Sequence, residues 1–486
     1  MDLHVSLDSR GDRTARIYVA LRAAVLDGRL AAGDRVPATR DLARQLGVAR
    51  GTVSVAYDRL AAEGFLQSRP GAGTFVTTVP LSSPAAERPD RRARAGAVRP
   101  LDLWDRPIDA AARGRVLHDL GIGLPDPALF PLPVWRRLVS QQLRRSRLTE
   151  ATYGGRGSWR LQAEIARFLG LTRSVVAAGD DVIVTAGAQQ AVDLVARVLV
   201  APGDVVAVED PGYAAVTRLL ETHRAVVRGA PVDAEGLVVE ALPPDARLVY
   251  VTPSHQFPTG VSLSLRRRAA LLRWAVDHDA VVVEDDYDSD YRFSDQPVEP
   301  LQSLDREGRV VYVGTFSKSL LPALRTGFLV APRSLQPALR EAKLVTTWEG
   351  DATTQGALAE FLAEGHHAAH VRRAGRVYRE RRRLLLAGLS ALDDVLDVVP
   401  SVAGLHVCAH FRDPKTDDRA VVARAAARGV RLEPLSDHYR EQEPRPGLVL
   451  GFGGIDAEAM PDALLRLTGV LRPSRGQETS TGSAGV

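Results

Sequence analysis

The chain has 486 residues, too long for one ordinary domain and suited to two or three. Its 63 Lys plus Arg nearly balance 59 Asp plus Glu, and a formal charge of +4 at this size argues against a general polyanion binder; 45% of residues are hydrophobic, enough for a large core. The single cysteine, Cys408, excludes an internal disulfide framework, and no run reaches about 18 consecutive apolar residues, so no membrane-spanning helix is expected. The opening "MDLHVSLDSRGD" has no apolar signal core, and a cytoplasmic protein is expected.

Residues 1–79 read as a small domain. In "ATRDLARQLGVARGTVSVAYDRLAAEG", Leu42 and Leu46 sit four apart, as one helix face requires, and Gly47 stops that helix. A second helix begins near Ala49, with Val53, Ala56 and Leu60 at three- and four-residue spacing. Two short helices joined by a glycine turn predict a helix-turn-helix, and "GFLQSRPGAGTFVT" predicts a hairpin that would form a wing. The second helix opens on Arg50, Gly51, Thr52 and Ser54, residue types that bind guanine, phosphate or base edges from the major groove. Arg40, at the start of the preceding helix, is placed for a phosphate. Double-stranded operator DNA is the expected partner. This stretch resembles the winged helix of the GntR family over its whole length.

Residues 80–115 are rich in Pro, Ala and Arg and read as a basic linker; residues 81–100 carry five arginines against two acids. From 116 to 471 apolar strands alternate with amphipathic helices, which predicts a mainly parallel sheet covered on both faces. Residues 472–486 are polar and read as a disordered tail. Five strand-like runs end in unusual loops: "TAGAQQ", "EDPGY", "TPSHQFPTG", "EDDYDSDY" and "GTFSKSLLPALRTG". In such sheets ligands bind beyond the carboxyl ends of the strands, so these loops should converge on one site.

The residue types in the loops suggest the chemistry. "TAGAQQ" puts the backbone N–H groups of Gly187, Ala188 and Gln189 at a helix N-terminus, a ready phosphate site. Arg325 and Thr315 could add a charge-assisted bond and a hydroxyl. The acid run "EDDYDSD" has the oxygen ligands of a Mg²⁺ or Ca²⁺ site but lacks the EF-hand glycine and distal glutamate, and no metal is expected. Asp285 can instead hold a ring nitrogen protonated, and Tyr287 can bond a phenolic oxygen. Three of the 63 basic residues are lysine: Lys318, Lys343 and Lys415. Lysine, unlike arginine, can lose its proton when desolvated, so Lys318 can form a Schiff base. A phosphate site, a ring-nitrogen acid, a phenol donor and an amine together point to pyridoxal 5'-phosphate.

The order of "TYGGRGSWRLQ", "VEDPGY", "FPTG", "EDDY" and "SKSLLPALRTG" resembles the fold-type I aminotransferases over residues 116–471. The resemblance implies an α+β winged helix-turn-helix domain followed by an α/β aminotransferase-like domain. It implies an internal aldimine on Lys318, Asp285 at the pyridine nitrogen, Tyr287 at the ring oxygen and Tyr213 stacked on the ring. Thr315, Arg325 and the turn of Gly187, Ala188 and Gln189 would hold the phosphate. Tyr153 would reach the phosphate of a neighbouring subunit, which implies a homodimer. Two departures stand out. Phe257 replaces the asparagine of Asn-Pro-Thr-Gly, and "SHQFPTG" is similar instead to the MocR/GabR branch of the GntR regulators. Near the place of the carboxylate-binding arginine stands Val449, with Arg445 close but offset. The expected function is a pyridoxal phosphate-dependent transcriptional regulator that senses the cofactor or an amine or amino acid, without physiological turnover. The alternative is an aminotransferase with an accessory DNA-binding module.

Overall fold

The computed structural model describes residues 12–77, 101–105, 116–144, 159–293 and 299–472. The chain divides into two compact units, Met1–Leu101 and Asp102–Val486. Most of the expected linker, the stretch holding Tyr153, and all but the first residue of the expected tail lie outside the described residues.

In the first unit Asp12 caps helix α1 (Arg13–Leu26) by accepting from the Thr14 amide at 2.9 Å. Helix α2 (Thr39–Leu46) ends where Gly47 takes φ +63°, a left-handed stop that glycine adopts without a side-chain clash. Helix α3 (Arg50–Ala62) follows. Strands β1 (Leu66–Arg69) and β2 (Gly73–Val76) pair antiparallel, Leu66 opposite Val76, and an isolated bridge from Arg35 to Phe75 adds a third segment to the wing. Ile17, Leu21, Leu42, Val53, Ala56 and Leu60 interlock in the core. Each large aliphatic side chain so buried contributes about 1.5–3 kcal/mol.

The second unit is built on an eight-stranded sheet. From one edge its strands run Val182–Thr185, Gly327–Val330, Val310–Thr315, Val281–Asp286, Ala246–Val251, Val205–Asp210, Val226–Asp233 and Gly236–Leu237. Gly327–Val330 is antiparallel to both neighbours, which leaves Val182–Thr185 running the same way as the central parallel strands. Their valine- and alanine-rich sequences are buried on both faces, as parallel strands beneath helical layers require. A smaller antiparallel sheet carries Leu396–Val398, His406–Phe411, Gly447–Gly451 and Glu433–Pro434. The carboxyl ends of six strands of the large sheet therefore lie on one edge.

Candidate functional site

That edge borders a cavity of about 270 Å³. Lys318, Asp285, Tyr287, Tyr213, Ala188, Gln189, Thr315 and Arg325 all line it. Eight side chains or backbone positions singled out in the sequence are thus brought together from four separate loops.

Lys318 follows the strand Val310–Thr315, and its Nζ donates to the Gly123 carbonyl at 2.9 Å. Burial holds its pKa below the ordinary 10.5, against the opposing pull of Asp288, Asp285 and Glu433. The amine therefore loses its proton, and becomes a nucleophile, more readily than a surface lysine. Gly123 has φ +70°, and a Cβ there would stand 2.5 Å from Lys318 Nζ. At that φ glycine fits without strain, and a Cβ would displace the end of the lysine side chain. The residue after the lysine is gripped from below: His367 Nε2 lies 3.2 Å from Ser319 Oγ, and His370 Nε2 lies 2.7 Å from the Ser319 carbonyl.

The pleat divides the acid run. Asp285 and Asp286 are neighbours in the strand Val281–Asp286 and so face opposite sides of the sheet. Asp286 meets Arg173 at 3.1 Å and the Tyr312 hydroxyl at 2.5 Å; although buried, its carboxyl is held below the ordinary range by Arg173. Asp285 faces the cavity. One oxygen accepts from the Tyr250 hydroxyl at 2.7 Å, while Oδ1 is buried with no hydrogen-bond partner. Burial pushes the Asp285 carboxyl up to about 7. An orphaned carboxylate oxygen aimed into a cavity is a place for a cationic N–H donor. The acids therefore do not converge as a metal cage. One buried group among the described residues has ligand types for a metal, namely His255, Asp288 and His406. Its atoms already hydrogen-bond: His255 Nδ1 lies 3.0 Å from Asp288 Oδ2, and His406 Nε2 lies 3.1 Å from the Pro258 carbonyl.

At the other end of the cavity the helix Ala188–Leu199 has no side-chain cap. The amides of Ala188 and Gln189 are its first-turn donors, and Gly187 at φ +95° lets the Arg325 guanidinium lie across the turn, 3.2 Å from where a Cβ would stand. Arg325 donates to the Ala186 carbonyl at 2.7 Å, and Thr315 Oγ1 donates to Ser317 Oγ at 3.0 Å. Free amides, two hydroxyls and a guanidinium suit a dianionic phosphate. Tyr213 stands half-exposed at the side, edge-on to Phe257 with ring centroids 5.4 Å apart.

Arg445 is not brought to this lining. Register places Gly451 opposite His406, which borders the cavity, and Gly447 opposite His410. Arg445 thus lies beyond the far end of that strand, about 20 Å of chain from Gly451 at the usual rise per residue. There its charge acts on Cys408 and His410. Sequence reasoning passed over Gly123, Tyr250, Ser317 and His406. Ser317 adjoins the lysine in "FSKS" and was within reach; the other three come from segments whose proximity is tertiary.

In the first unit Arg40 and Arg50 are exposed at the starts of α2 and α3, with Thr52 and Ser54 half-buried beside Arg50. Arg50 has no ion pair among the described residues, and the caps of both helices, Ala38 and Ala49, leave their first-turn amides without side-chain partners. Over residues 13–76 the chain matches the bacterial regulatory proteins of the gntR family, and over 117–435 aminotransferase class I and II. It is 39% identical over 457 residues to the probable rhizopine catabolism regulatory protein MocR of Rhizobium meliloti, covering 92% of each chain. The chain belongs to the MocR-type GntR-family transcriptional regulators. Further MocR-type similarity runs to the regulator TauR of Rhodobacter capsulatus, 34% identical over 482 residues (95% of this chain, 97% of that one). The pyridoxine biosynthesis regulator PdxR of Corynebacterium glutamicum is 33% identical over 440 residues (90% and 92%). Among solved structures, an archaeal alanine:glyoxylate aminotransferase superimposes with a TM-score of 0.69 at 28% identity, covering 73% of this chain and 90% of that one. This MocR-type chain is a DNA-binding regulator with an aminotransferase-like domain, and pyridoxal 5'-phosphate is that domain's cofactor. The cavity fits the cofactor: the orphaned Asp285 oxygen suits a ring N–H, and the uncapped turn suits its phosphate. No helix among the described residues is long and apolar enough to cross a membrane.

Proposed function

We propose that this regulator senses an amine, an amino acid or pyridoxal 5'-phosphate itself at Lys318, and that occupancy there changes operator binding by the winged helix. Bound cofactor supplies an aldehyde carbon that an amine can take up covalently. The protein's residues do the rest. Lys318 offers a desolvated amine, Asp285 holds the ring nitrogen's proton, and Tyr287 donates to the phenolic oxygen. Tyr213 covers the ring, and Thr315, Arg325 and the Gly187–Gln189 turn bind the phosphate. Arg50, Thr52 and Ser54 read bases, Arg40 anchors a phosphate, and residues 80–115 link the two units. A homodimer in the cytoplasm, with Tyr153 reaching the neighbouring subunit's phosphate, completes the proposal.

The observation that carries a sensor over an aminotransferase is the cavity's cation count. Arg325 is the one arginine lining it among the described residues, and it lies against the phosphate turn. Transamination needs the substrate carboxylate fixed so that its Cα–H faces the lysine. Reversible uptake of an amine does not. One relative is named for pyridoxine biosynthesis and another for rhizopine catabolism, which supports effectors of more than one kind in this family.

The test is borohydride reduction of the purified yellow protein followed by peptide mass spectrometry. A cofactor adduct on Lys318 is expected; its absence refutes the assignment. Stopped-flow absorbance with alanine, glutamate or aspartate plus a keto acid should give no sustained turnover. Rates of about 1 per second or more, typical of enzymes, would favour the aminotransferase reading.

A further inference from the structure

We infer that His255 is a positioning residue, clamped between Asp288 and Ser401, that turns the proton of the Tyr287 hydroxyl into the cavity, toward the phenolic oxygen of a bound pyridoxal. The inference rests on the cofactor reading above.

The argument is a count of hydrogens along one buried chain. His255, Asp288 and Ser401 are 1%, 4% and 7% exposed. Ser401 Oγ donates its one proton to the Ala403 carbonyl at 3.0 Å. The same Oγ lies 3.1 Å from His255 Nε2 and holds the far side of the ring. His255 Nδ1 lies 3.0 Å from Asp288 Oδ2, and a carboxylate oxygen accepts, so the ring's hydrogen sits on Nδ1. His255 is thus held through both ring nitrogens, with its Nδ1 hydrogen toward Asp288. The neighbouring ring, His406, has its centroid 4.7 Å away; burial first, and His255 next, hold it well below its ordinary pKa, and it stays neutral.

Tyr287 Oη lies 3.1 Å from the same His255 Nδ1. Facing an N–H, that oxygen can only accept there, and its own proton must point elsewhere. Two recipients are in reach. One is Asp288 Oδ1, buried and without a partner; the other is an oxygen in the cavity that Tyr287 lines. Asp288 is within hydrogen-bonding reach of Tyr287 but already accepts from His255, whereas the phenolic oxygen of a bound cofactor would bear charge. A donor hydrogen at the tyrosine's lone pair also polarises its O–H and strengthens the donation. The other titratable groups facing this corner are Asp285, Glu209, Lys318, Glu433 and His438.

The experiment titrates the visible chromophore of the full-length protein loaded with pyridoxal 5'-phosphate. At high pH the phenolic oxygen is left as an anion, which the Tyr287 donor stabilises; losing the donor keeps the chromophore protonated to higher pH. Tyr287→Phe should raise its apparent pKa by about 1 to 2 pH units, the size of one hydrogen bond to a charged oxygen. His255→Leu should raise it comparably. His255→Asn, whose amide N–H takes the place of Nδ1–H, should restore most of the shift. The double variant should shift no further than Tyr287→Phe alone. If His255→Leu does not fold, Ser401→Ala should give a smaller rise that disappears in the Tyr287→Phe background. No shift in any His255 or Ser401 variant, or shifts that add to that of Tyr287→Phe, would overturn the inference. An unchanged titration in Tyr287→Phe would mean the proton points at Asp288, and would overturn it too. Borohydride reduction of the wild type separates the two readings: no Lys318 adduct sinks the cofactor assignment, while an adduct with no titration shift sinks only the role of His255.

Discussion

Asp285→Asn in the cofactor-free protein reads out the electrostatic poise of the site. Burial moves the Asp285 carboxyl from its ordinary 3.8 up to about 7. In the unfolded chain it ionises at the ordinary value. Between about pH 4 and pH 7 the folded protein therefore holds a proton that the unfolded chain has released, and stability falls as pH rises through that window. A rise of about three units at ~1.36 kcal/mol each gives a ceiling of about 4 kcal/mol. Asparagine has no such titration, and its amide oxygen can still accept from Tyr250. Urea unfolding followed by tryptophan fluorescence should find Asp285→Asn gaining on the wild type by up to about 4 kcal/mol between pH 4 and pH 8. Glu284, also pushed up to about 7 by burial, is common to both proteins and drops out of the difference, while Glu209 feels the Asp285 charge and contributes a smaller change of its own. Adding pyridoxal 5'-phosphate should shrink the wild type's pH dependence, because a ring N–H cation gives the ionised carboxylate its missing partner. A difference between the two proteins that does not change with pH would refute the reasoning.

Arg50→Ala should weaken binding to a selected operator by about 1–3 kcal/mol if it grips a base bidentately, while Arg40→Ala should weaken all DNA alike and flatten the salt dependence; mobility shifts across a salt series check both. Gly123→Ala places a methyl 2.5 Å from Lys318 Nζ at φ +70°. It should cut the yield of the borohydride adduct on Lys318 severely while leaving the unfolding transition of the winged unit unchanged, and undiminished loading would show that the Gly123 carbonyl does not hold the amine.

Features with local causes were legible in the sequence. Gly47 stops α2 because its φ is positive, whatever surrounds it. "TAGAQQ" makes a strand-to-helix turn because small residues permit it. Lys318, Asp285 and Tyr213 each end a strand whose apolar run marks it as buried. Parallel strands then carry those ends to one edge, since the crossover between two parallel strands returns the chain to run the same way. Proximity between segments far apart in the chain was not legible. The Gly123 carbonyl meets Lys318 across 195 positions, and Ser401 meets His255 across 146. Asp285 and Asp286 look alike in the sequence, but the pleat gives one to the cavity and the other to Arg173. Arg445 looked close to the carboxylate position because distance along the chain was the available measure. The antiparallel register of His406–Phe411 against Gly447–Gly451 decides which end of that strand faces the cavity. Register is set by which side chains the two sheets bury together, and no single strand carries that information in its own sequence.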